Sequence, residues 1–323
     1  MKKKISVVGC GQWGKNLVRN FSELGGLFSV CDTDAKISKK YASQYKVKES
    51  SFEEIINDPN IKGVALTVPA HLHASMAIEA MNKGKHVFVE KPLAMNVTEA
   101  ELMIATAKKN NVKIMVGHLL QFHPIFNAIK KMVKNGEIGK LKYIYSNRLG
   151  FGKVRSQEDV IWSFAPHDIS MILSLVDESP EFVRTNSAYV LQKNLADAAT
   201  ILMEFNSGLK SQISVSWINP YKEVKLIISG ETAILVFDDT KPWNEKLAIY
   251  PYEVVSYKKN INLKKTYVKY LEIPEEEPLK IECQHFLDVV EKNIKPITDG
   301  AEGLKVIKVL SAVSKSQNKN NSY

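Results

Sequence analysis

Gly9-Cys10-Gly11-Gln12-Trp13-Gly14 fits the pattern GxGxxG. It stands between a compact β-branched run (residues 4–9) and an amphipathic helical pattern (residues 13–24). That strand–turn–helix setting gives an otherwise common pattern its meaning. Gly9 permits a tight turn, Gly11 lets a pyrophosphate approach the main chain, and Gly14 lets the helix pack closely on the strand. The helix N-terminus, with its unbonded N–H groups, then suits the phosphates. Gln12 and Trp13 fill the remaining positions of the loop. A second predicted strand ends at Cys31-Asp32, 18 residues after Gly14. A carboxylate there hydrogen-bonds ribose hydroxyls and repels a 2′-phosphate, so Asp32 points to NAD rather than NADP.

Strand-like runs at 4–9, 28–31, 63–68, 86–90 and 113–117 alternate with helical patterns at 13–24, 35–45, 52–57, 72–83 and 98–110. This rhythm predicts an α/β Rossmann domain, a doubly wound parallel sheet. Thr98, followed by Glu101, has capping-box spacing and is read as a helix start. Beyond residue 117 longer strand-like segments dominate, at 141–149, 182–191, 198–205, 209–216, 223–229 and 233–237. Tight turns at Asn206-Ser207-Gly208 and Gly230-Glu231 read as hairpins. Helical patterns cover 124–133, 166–176, 279–292 and 301–316. The expected second domain is α+β, with a large open, mostly antiparallel sheet. The expected division is a NAD-binding Rossmann domain over 1–120 and a substrate-binding and oligomerisation domain over 121–323.

Composition narrows the partners. The chain is 45% hydrophobic and 24% charged, an ordinary globular balance that excludes a largely disordered chain. No apolar run approaches the roughly 18 residues a membrane span needs, so no membrane partner is expected and the reading is cytoplasmic. Cys10, Cys31 and Cys283 contain no CxxC pair, which argues against a disulfide framework or a thiolate metal site. Net charge is +9, but only four of the 44 basic residues are arginine. Dispersed lysine is a solvated surface, whereas nucleic-acid readers concentrate arginine, so no nucleic-acid partner is expected.

Several residues stand where chemistry is done. The fourth strand ends in Glu90-Lys91-Pro92, and ligands of open α/β sheets bind beyond the carboxyl ends of strands. An ammonium at Lys91 suits a substrate hydroxyl and a developing alkoxide; a plain surface lysine is the equal alternative on position alone. His71 and His73 follow Pro69 and are read as loop residues near the cofactor, without a third ligand spaced for metal. His118 and His123 flank the domain junction. His167 follows Pro166, which suits a first helical turn. A helix start disfavours protonation and leaves the neutral imidazole a general base needs; a buried structural histidine is the competing reading. Arg148, Lys153 and Arg155 cluster around Gly150 and Gly152. They suit a diphosphate or acidic substrate, or are ordinary surface cations.

Residues 9–14, Glu90-Lys91-Pro92, the His-Pro-x-Phe segment from His123, and residues 162–169 occur in this order. Together they resemble the glucose–fructose oxidoreductase / inositol dehydrogenase (Gfo/Idh/MocA) family. The resemblance spans essentially the whole chain, to Glu282, His285-Phe286 and Thr298-Asp299-Gly300 near its end. Residues 11–21 and 161–168 are similar to a narrower group acting on nucleotide-linked amino sugars. That resemblance implies oxidation of the C3 hydroxyl of UDP-N-acetylglucosamine to a ketone, with an aminotransferase consuming the product. It implies that Lys91 and His167 are the catalytic pair, that Glu90 and Pro69 lie near the nicotinamide, and that the chain forms homodimers or homotetramers through the open sheet. Family relatives acting on a free polyol such as myo-inositol, or on UDP-N-acetylglucosaminuronate, mark the alternative substrates. A dinucleotide-sensing protein without catalysis is the alternative of another class. Many members carry an aspartate four residues before the histidine; here the position is Ser163. Serine orients an imidazole but cannot balance its charge, which leaves Asp168 or Asp159 to compensate; Lys91, Ser163, His167 and Asp168 are also read as substrate-binding.

Overall fold

The computed structural model describes residues 4–152, 154–257, 260–265 and 267–320. In chain order the first elements are β1 (Ile5–Val8), α1 (Gly14–Glu23), β2 (Leu27–Cys31), α2 (Ala35–Tyr45), β3 (Lys48–Glu49) and α3 (Phe52–Asn57). Then come β4 (Gly63–Leu66), α4 (His73–Asn82), β5 (His86–Glu90), α5 (Val97–Lys109), β6 (Ile114–Gly117) and α6 (Pro124–Lys134). They are followed by β7 (Tyr143–Phe151), α7 (Val160–Val176), β8 (Pro180–Ala188), β9 (Ala198–Phe205), β10 (Lys210–Ser216), β11 (Ile218–Ser229) and β12 (Ala233–Asp238). The chain closes through β13 (Leu247–Tyr257), β14 (Asn260–Lys265), β15 (Lys269–Tyr270), α8 (Pro278–Lys292) and α9 (Gly300–Asn320). Two compact units result. One holds the chain up to Phe122 together with Glu276–Lys308; the other holds His123–Glu275 and the chain from Val309.

The first unit is a six-stranded parallel sheet of order β3-β2-β1-β4-β5-β6. Strands β1, β4 and β6 are buried at every position, as parallel strands covered on both faces must be. Helix α1 buries Leu17, Val18 and Phe21. Onto them α8 lays Leu279, Cys283, Phe286 and Leu287, within one core that includes Val7, Phe88 and Met115. This is why residues 276–308 join the first unit, although the sequence places them in the second domain. Each such aliphatic or aromatic side chain taken from water is worth roughly 1.5–3 kcal/mol. The start of α5 differs from expectation. Its cap is Asn96, whose side chain accepts from Glu99 N–H at 2.9 Å, while Glu99 returns to Met95 N–H at 3.1 Å. Asparagine caps as well as threonine, so the Asn96/Glu99 frame wins over Thr98/Glu101.

The second unit is built on the order β14-β13-β12-β11-β7-β10-β9-β8, with β15 on β13. All pairs are antiparallel except β7 with β10. Both expected hairpins are present: Gly208, at φ +82°, turns β9 into β10, and Gly230 turns β11 into β12. Helix α7 packs on β7, β9 and β10, whose inward residues are Ile201, Met203, Ile213 and Val215. Strand β13 is absent from the sequence expectation because Pro251 interrupts its pattern. The structure resolves the conflict by switching partners there. Leu247–Pro251 pair with β12, and the residues from Tyr252 pair with β14. Among the described residues, no helix is long and apolar enough to cross a membrane.

Candidate active site

At the carboxyl ends of β1, β2, β4 and β5 the first unit assembles its glycine loop. Gly9 has φ +88° and donates its N–H to the Cys31 carbonyl at 2.8 Å. A Cβ on Gly14 would overlap the Gly9 carbonyl oxygen, so only glycine lets α1 approach the strand this closely. Gly11 is different: a Cβ there meets no atom of the protein within 4 Å. Its lack of a side chain serves no internal packing and fits close approach of a ligand to the loop. No side chain caps Trp13 at the start of α1, and no acid stands in that helix's first turn. The helix end is left to an anion. These features fit a dinucleotide pyrophosphate, held by Gly11, Gln12, Trp13 and the first turn of α1.

Asp32 sits at the ribose end of this arrangement. Its Oδ2 accepts from Cys10 N–H at 2.6 Å, and its Oδ1 from Asp34 N–H at 2.9 Å. The carboxylate thus shapes the loop and still has lone pairs for hydroxyl donors. Burial, then the Asp32 charge, pushes the Cys10 thiol up to about 12, so it stays protonated and unreactive.

Around the end of β5 the groups are tightly tied. Trp13 Nε1 donates to Glu90 Oε1 at 2.6 Å, and Lys91 N–H donates to Glu90 Oε2 at 3.3 Å. Lys91 is half-buried, and the Lys91–Pro92 bond is cis. His73 corrects the sequence reading. It is buried, with Nδ1 2.7 Å from the Pro92 carbonyl and Nε2 2.9 Å from the Val68 carbonyl. Both ring nitrogens are spent on main chain, and burial holds the imidazole below its ordinary pKa. His73 therefore fixes the turn after Lys91 and has no nitrogen left for a cofactor. Pro69 precedes the short helical turn Ala70–Leu72, at the end of β4. His118 pairs with Glu302 at 2.6 Å. Among the described residues, no group of three or more His, Cys, Asp or Glu side chains suits a metal ion.

The second unit carries the other candidates. Helix α7 starts at Val160, capped by the Asp159 carboxylate on Trp162 N–H at 2.9 Å. Pro166 lies inside the helix, so His167 stands two turns from its start. The expectation of a macrodipole-lowered His167 fails for that reason, since the field decays within the first turn. Pro166 misled the reading: proline favours first turns, but here it lies inside α7 and gives up the N–H that would have bonded the Trp162 carbonyl. Ser163 is buried on α7, one turn before half-buried His167, on the same face.

Asp168 and Arg148 find each other. Arg148 Nε donates to Asp168 Oδ2 at 2.6 Å and one terminal nitrogen to Oδ1 at 3.1 Å, while Ser146 Oγ donates to Oδ1 at 2.5 Å. Asp168 is 1% exposed. The fork expected to read a diphosphate is committed to locking α7 onto β7, and Asp168 is likewise an internal anchor rather than a substrate ligand. Arg155 is exposed and pairs with Glu158 at 3.0 Å. Lys153 lies outside the described residues. His123, expected only as a junction residue, caps α6 through Ile125 N–H at 3.2 Å and stacks on Trp243. Glu282, matched in the sequence only as part of the family's chain ending, was not expected as a site residue. It is fully buried on α8, and neither carboxyl oxygen has a hydrogen-bond partner.

Comparison with known proteins agrees with this layout. Residues 3–118 match the family described as "Oxidoreductase family, NAD-binding Rossmann fold", and residues 126–236 match the "GFO/IDH/MocA C-terminal domain". UDP-N-acetylglucosamine 3-dehydrogenase of Acidithiobacillus ferrooxidans is 25% identical over 309 residues, covering 94% of each protein. Inositol 2-dehydrogenase of Salmonella typhimurium is 25% identical over 229 residues, 67% of each. The solved structure of the Acidithiobacillus enzyme superposes with a TM-score of 0.86 at 23% identity, over 98% of this chain and 97% of that one. The aldose-aldose oxidoreductase of Caulobacter crescentus has the same fold, with a TM-score of 0.86 at 19% identity over 99% of each chain. With both family domains matched in order, and the glycine loop, Asp32 and the Lys91 turn set at the strand ends, this chain belongs to the Gfo/Idh/MocA family of NAD(P)-binding oxidoreductases.

Proposed function

We propose that the protein is an NAD-dependent dehydrogenase that oxidises the C3 hydroxyl of UDP-N-acetylglucosamine to the 3-keto sugar. The observation that carries this reading is the match to a 3-dehydrogenase of that sugar along 94% of both chains, where the inositol dehydrogenase match covers 67%. NAD rather than NADP follows from Asp32, whose carboxylate repels a 2′-phosphate. Bound NAD supplies the hydride acceptor. Lys91 hydrogen-bonds the reacting oxygen and stabilises negative charge as it develops. His167 takes the hydroxyl proton, its ring oriented along α7 by Ser163. Arg155 and Lys153 are proposed for the nucleotide diphosphate. The keto product requires an aminotransferase to become a 3-amino sugar.

We also propose a homodimer or homotetramer through the open face of the second unit's sheet. Leu202, Gln212, Tyr145, Ile227 and Val236 form one row across five strands on the face away from α7. Sedimentation velocity tests it: a monomer at micromolar concentration contradicts it. The substrate reading is tested by initial rates with UDP-N-acetylglucosamine, UDP-N-acetylglucosaminuronate and myo-inositol, each with NAD and an aminotransferase trap where a keto sugar forms. Turnover with the first alone supports it. Faster turnover with the uronate or the polyol moves the substrate and keeps the fold. Silence with all three, alongside NAD binding, favours a dinucleotide sensor.

A further inference from the structure

Two buried carboxyl groups lie at the cofactor end of the first unit, and they are not equivalent. Glu90 ends β5 and is 9% exposed as a residue. It receives two donors, Trp13 Nε1–H and the Lys91 main-chain N–H. Its carboxyl carbon lies where a Cβ on Gly117 would be only 2.9 Å away, so β6 is glycine where the carboxyl group packs on it. Glu282 comes from α8, is 0% exposed, and has no hydrogen-bond partner at either oxygen. The two groups feel each other's charge. Lys91 is the cation that acts on Glu90, His118 is a titratable neighbour of it, and Cys283 is the titratable neighbour of Glu282 on its own helix.

Two buried carboxylates that feel each other's charge cannot both stay ionised at low cost. The donors decide which one keeps the charge. Hydrogen bonds to an anion stabilise it, and Glu90 has two, with an ammonium beside it. Glu282 has none, and a charge buried without partners is the more expensive choice. Burial raises both groups, but the Trp13 and Lys91 donors pull Glu90 back, whereas burial and then the Glu90 charge drive Glu282 well above the ordinary carboxylate range.

The place of that charge matters for the cofactor. In a doubly wound sheet the two mononucleotide halves lie on either side of the switch point. Asp32, at the end of β2, marks the adenosine half. The nicotinamide half therefore belongs to β4, β5 and β6, where Glu90 stands. Oxidised nicotinamide carries a positive ring charge and the reduced ring carries none.

We propose that Glu282 is held as a neutral acid so that Glu90 carries the pair's one negative charge, and that this charge makes the site favour the oxidised over the reduced dinucleotide. Glu90 acts here as a specificity residue for cofactor redox state, and Glu282 as the group that keeps the charge single and in place. The inference rests on the dinucleotide site alone and needs no assumption about the sugar.

The test is binding, with the full-length protein and no sugar. Dissociation constants for NAD and NADH are measured at neutral pH for the wild type, Glu90→Gln and Glu282→Gln. Glu90→Gln keeps an acceptor for Trp13 and removes the charge. Its NAD-to-NADH affinity ratio should fall on the order of tenfold, as expected for loss of a unit charge near the ring. Glu282→Gln replaces a neutral acid by a neutral amide and should leave the ratio within about twofold. Infrared spectra in heavy water give an independent readout that needs no cofactor. The wild type should show a protonated-carboxyl band at neutral pH that Glu282→Gln lacks. An unchanged ratio in Glu90→Gln overturns the proposal. So does a wild type without a protonated-carboxyl band, even if the Glu282 variant does not fold. Failure of the sugar assay leaves all these outcomes intact.

Discussion

Gly11 and Gly14 separate what the fold needs from what the cofactor needs. At Gly14 a Cβ would lie 2.9 Å from the Gly9 carbonyl carbon and closer still to its oxygen. The obstacle is main chain, which no rotamer change relieves. Gly14→Ala must therefore push α1 off β1, and overpacking of this kind costs about 1–3 kcal/mol, or more where the backbone is the obstacle. At Gly11 a Cβ meets nothing within 4 Å, and φ is not in the left-handed region. Gly11→Ala should leave stability within about 0.5 kcal/mol of wild type, or raise it slightly by restricting the unfolded chain. The same Cβ stands where a pyrophosphate must come close to the main chain. Dinucleotide affinity should fall at least about tenfold, or ~1.4 kcal/mol. Urea unfolding gives the first quantity and titration calorimetry with NAD the second. A Gly11→Ala protein that binds NAD like wild type removes the loop from the cofactor site. A Gly14→Ala protein as stable as wild type refutes the packing argument.

Other outcomes follow from the same geometry. Arg148→Ala leaves Asp168 buried without its cation and should destabilise the protein by roughly 3–5 kcal/mol in urea unfolding; a raised KM with unchanged stability would make Arg148 a substrate ligand instead. His123 is pushed from 6.5 down to about 4 by burial, against the pull of Asp239. The unfolded chain therefore binds more protons between these values, so stability is full above about pH 6.5 and falls as pH drops toward 4. His123→Asn, which keeps an acceptor for Ile125 N–H, should flatten that acid limb in thermal unfolding; an unaltered limb contradicts the assignment. Lys91→Ala should lower kcat by at least about 10²-fold while NAD affinity stays near wild type, measured by steady-state rates and calorimetry.

Much of the first unit was legible because its signals are local. The glycine turn, the acid at the end of β2 and the Lys91 turn each follow from strand ends a few residues long. What escaped reading depended on distant partners. Proline at 166 looks like a helix start until Asp159 is seen capping the helix two turns earlier. Pro251 looks like a strand break until the strand changes partners there. Arg148 reads as an anion binder because nothing local shows that Asp168, twenty residues on, faces it across α7 and β7. His73 sits in a loop near the cofactor end, and only the fold shows its ring closed between two carbonyls. Glu282 had no local signal, since its meaning lies in Glu90 on another element.

Transfer of a labelled hydride tests the central claim most directly. UDP-N-acetylglucosamine carrying deuterium at C3 is mixed with NAD and excess enzyme, and the reduced dinucleotide is examined by mass spectrometry. The account predicts one deuterium on the nicotinamide with the wild type and, at the same short reaction time, at least about 10²-fold less labelled product with Lys91→Ala. Reduced dinucleotide without deuterium, or none at all from a wild type shown to bind NAD and the sugar, contradicts it.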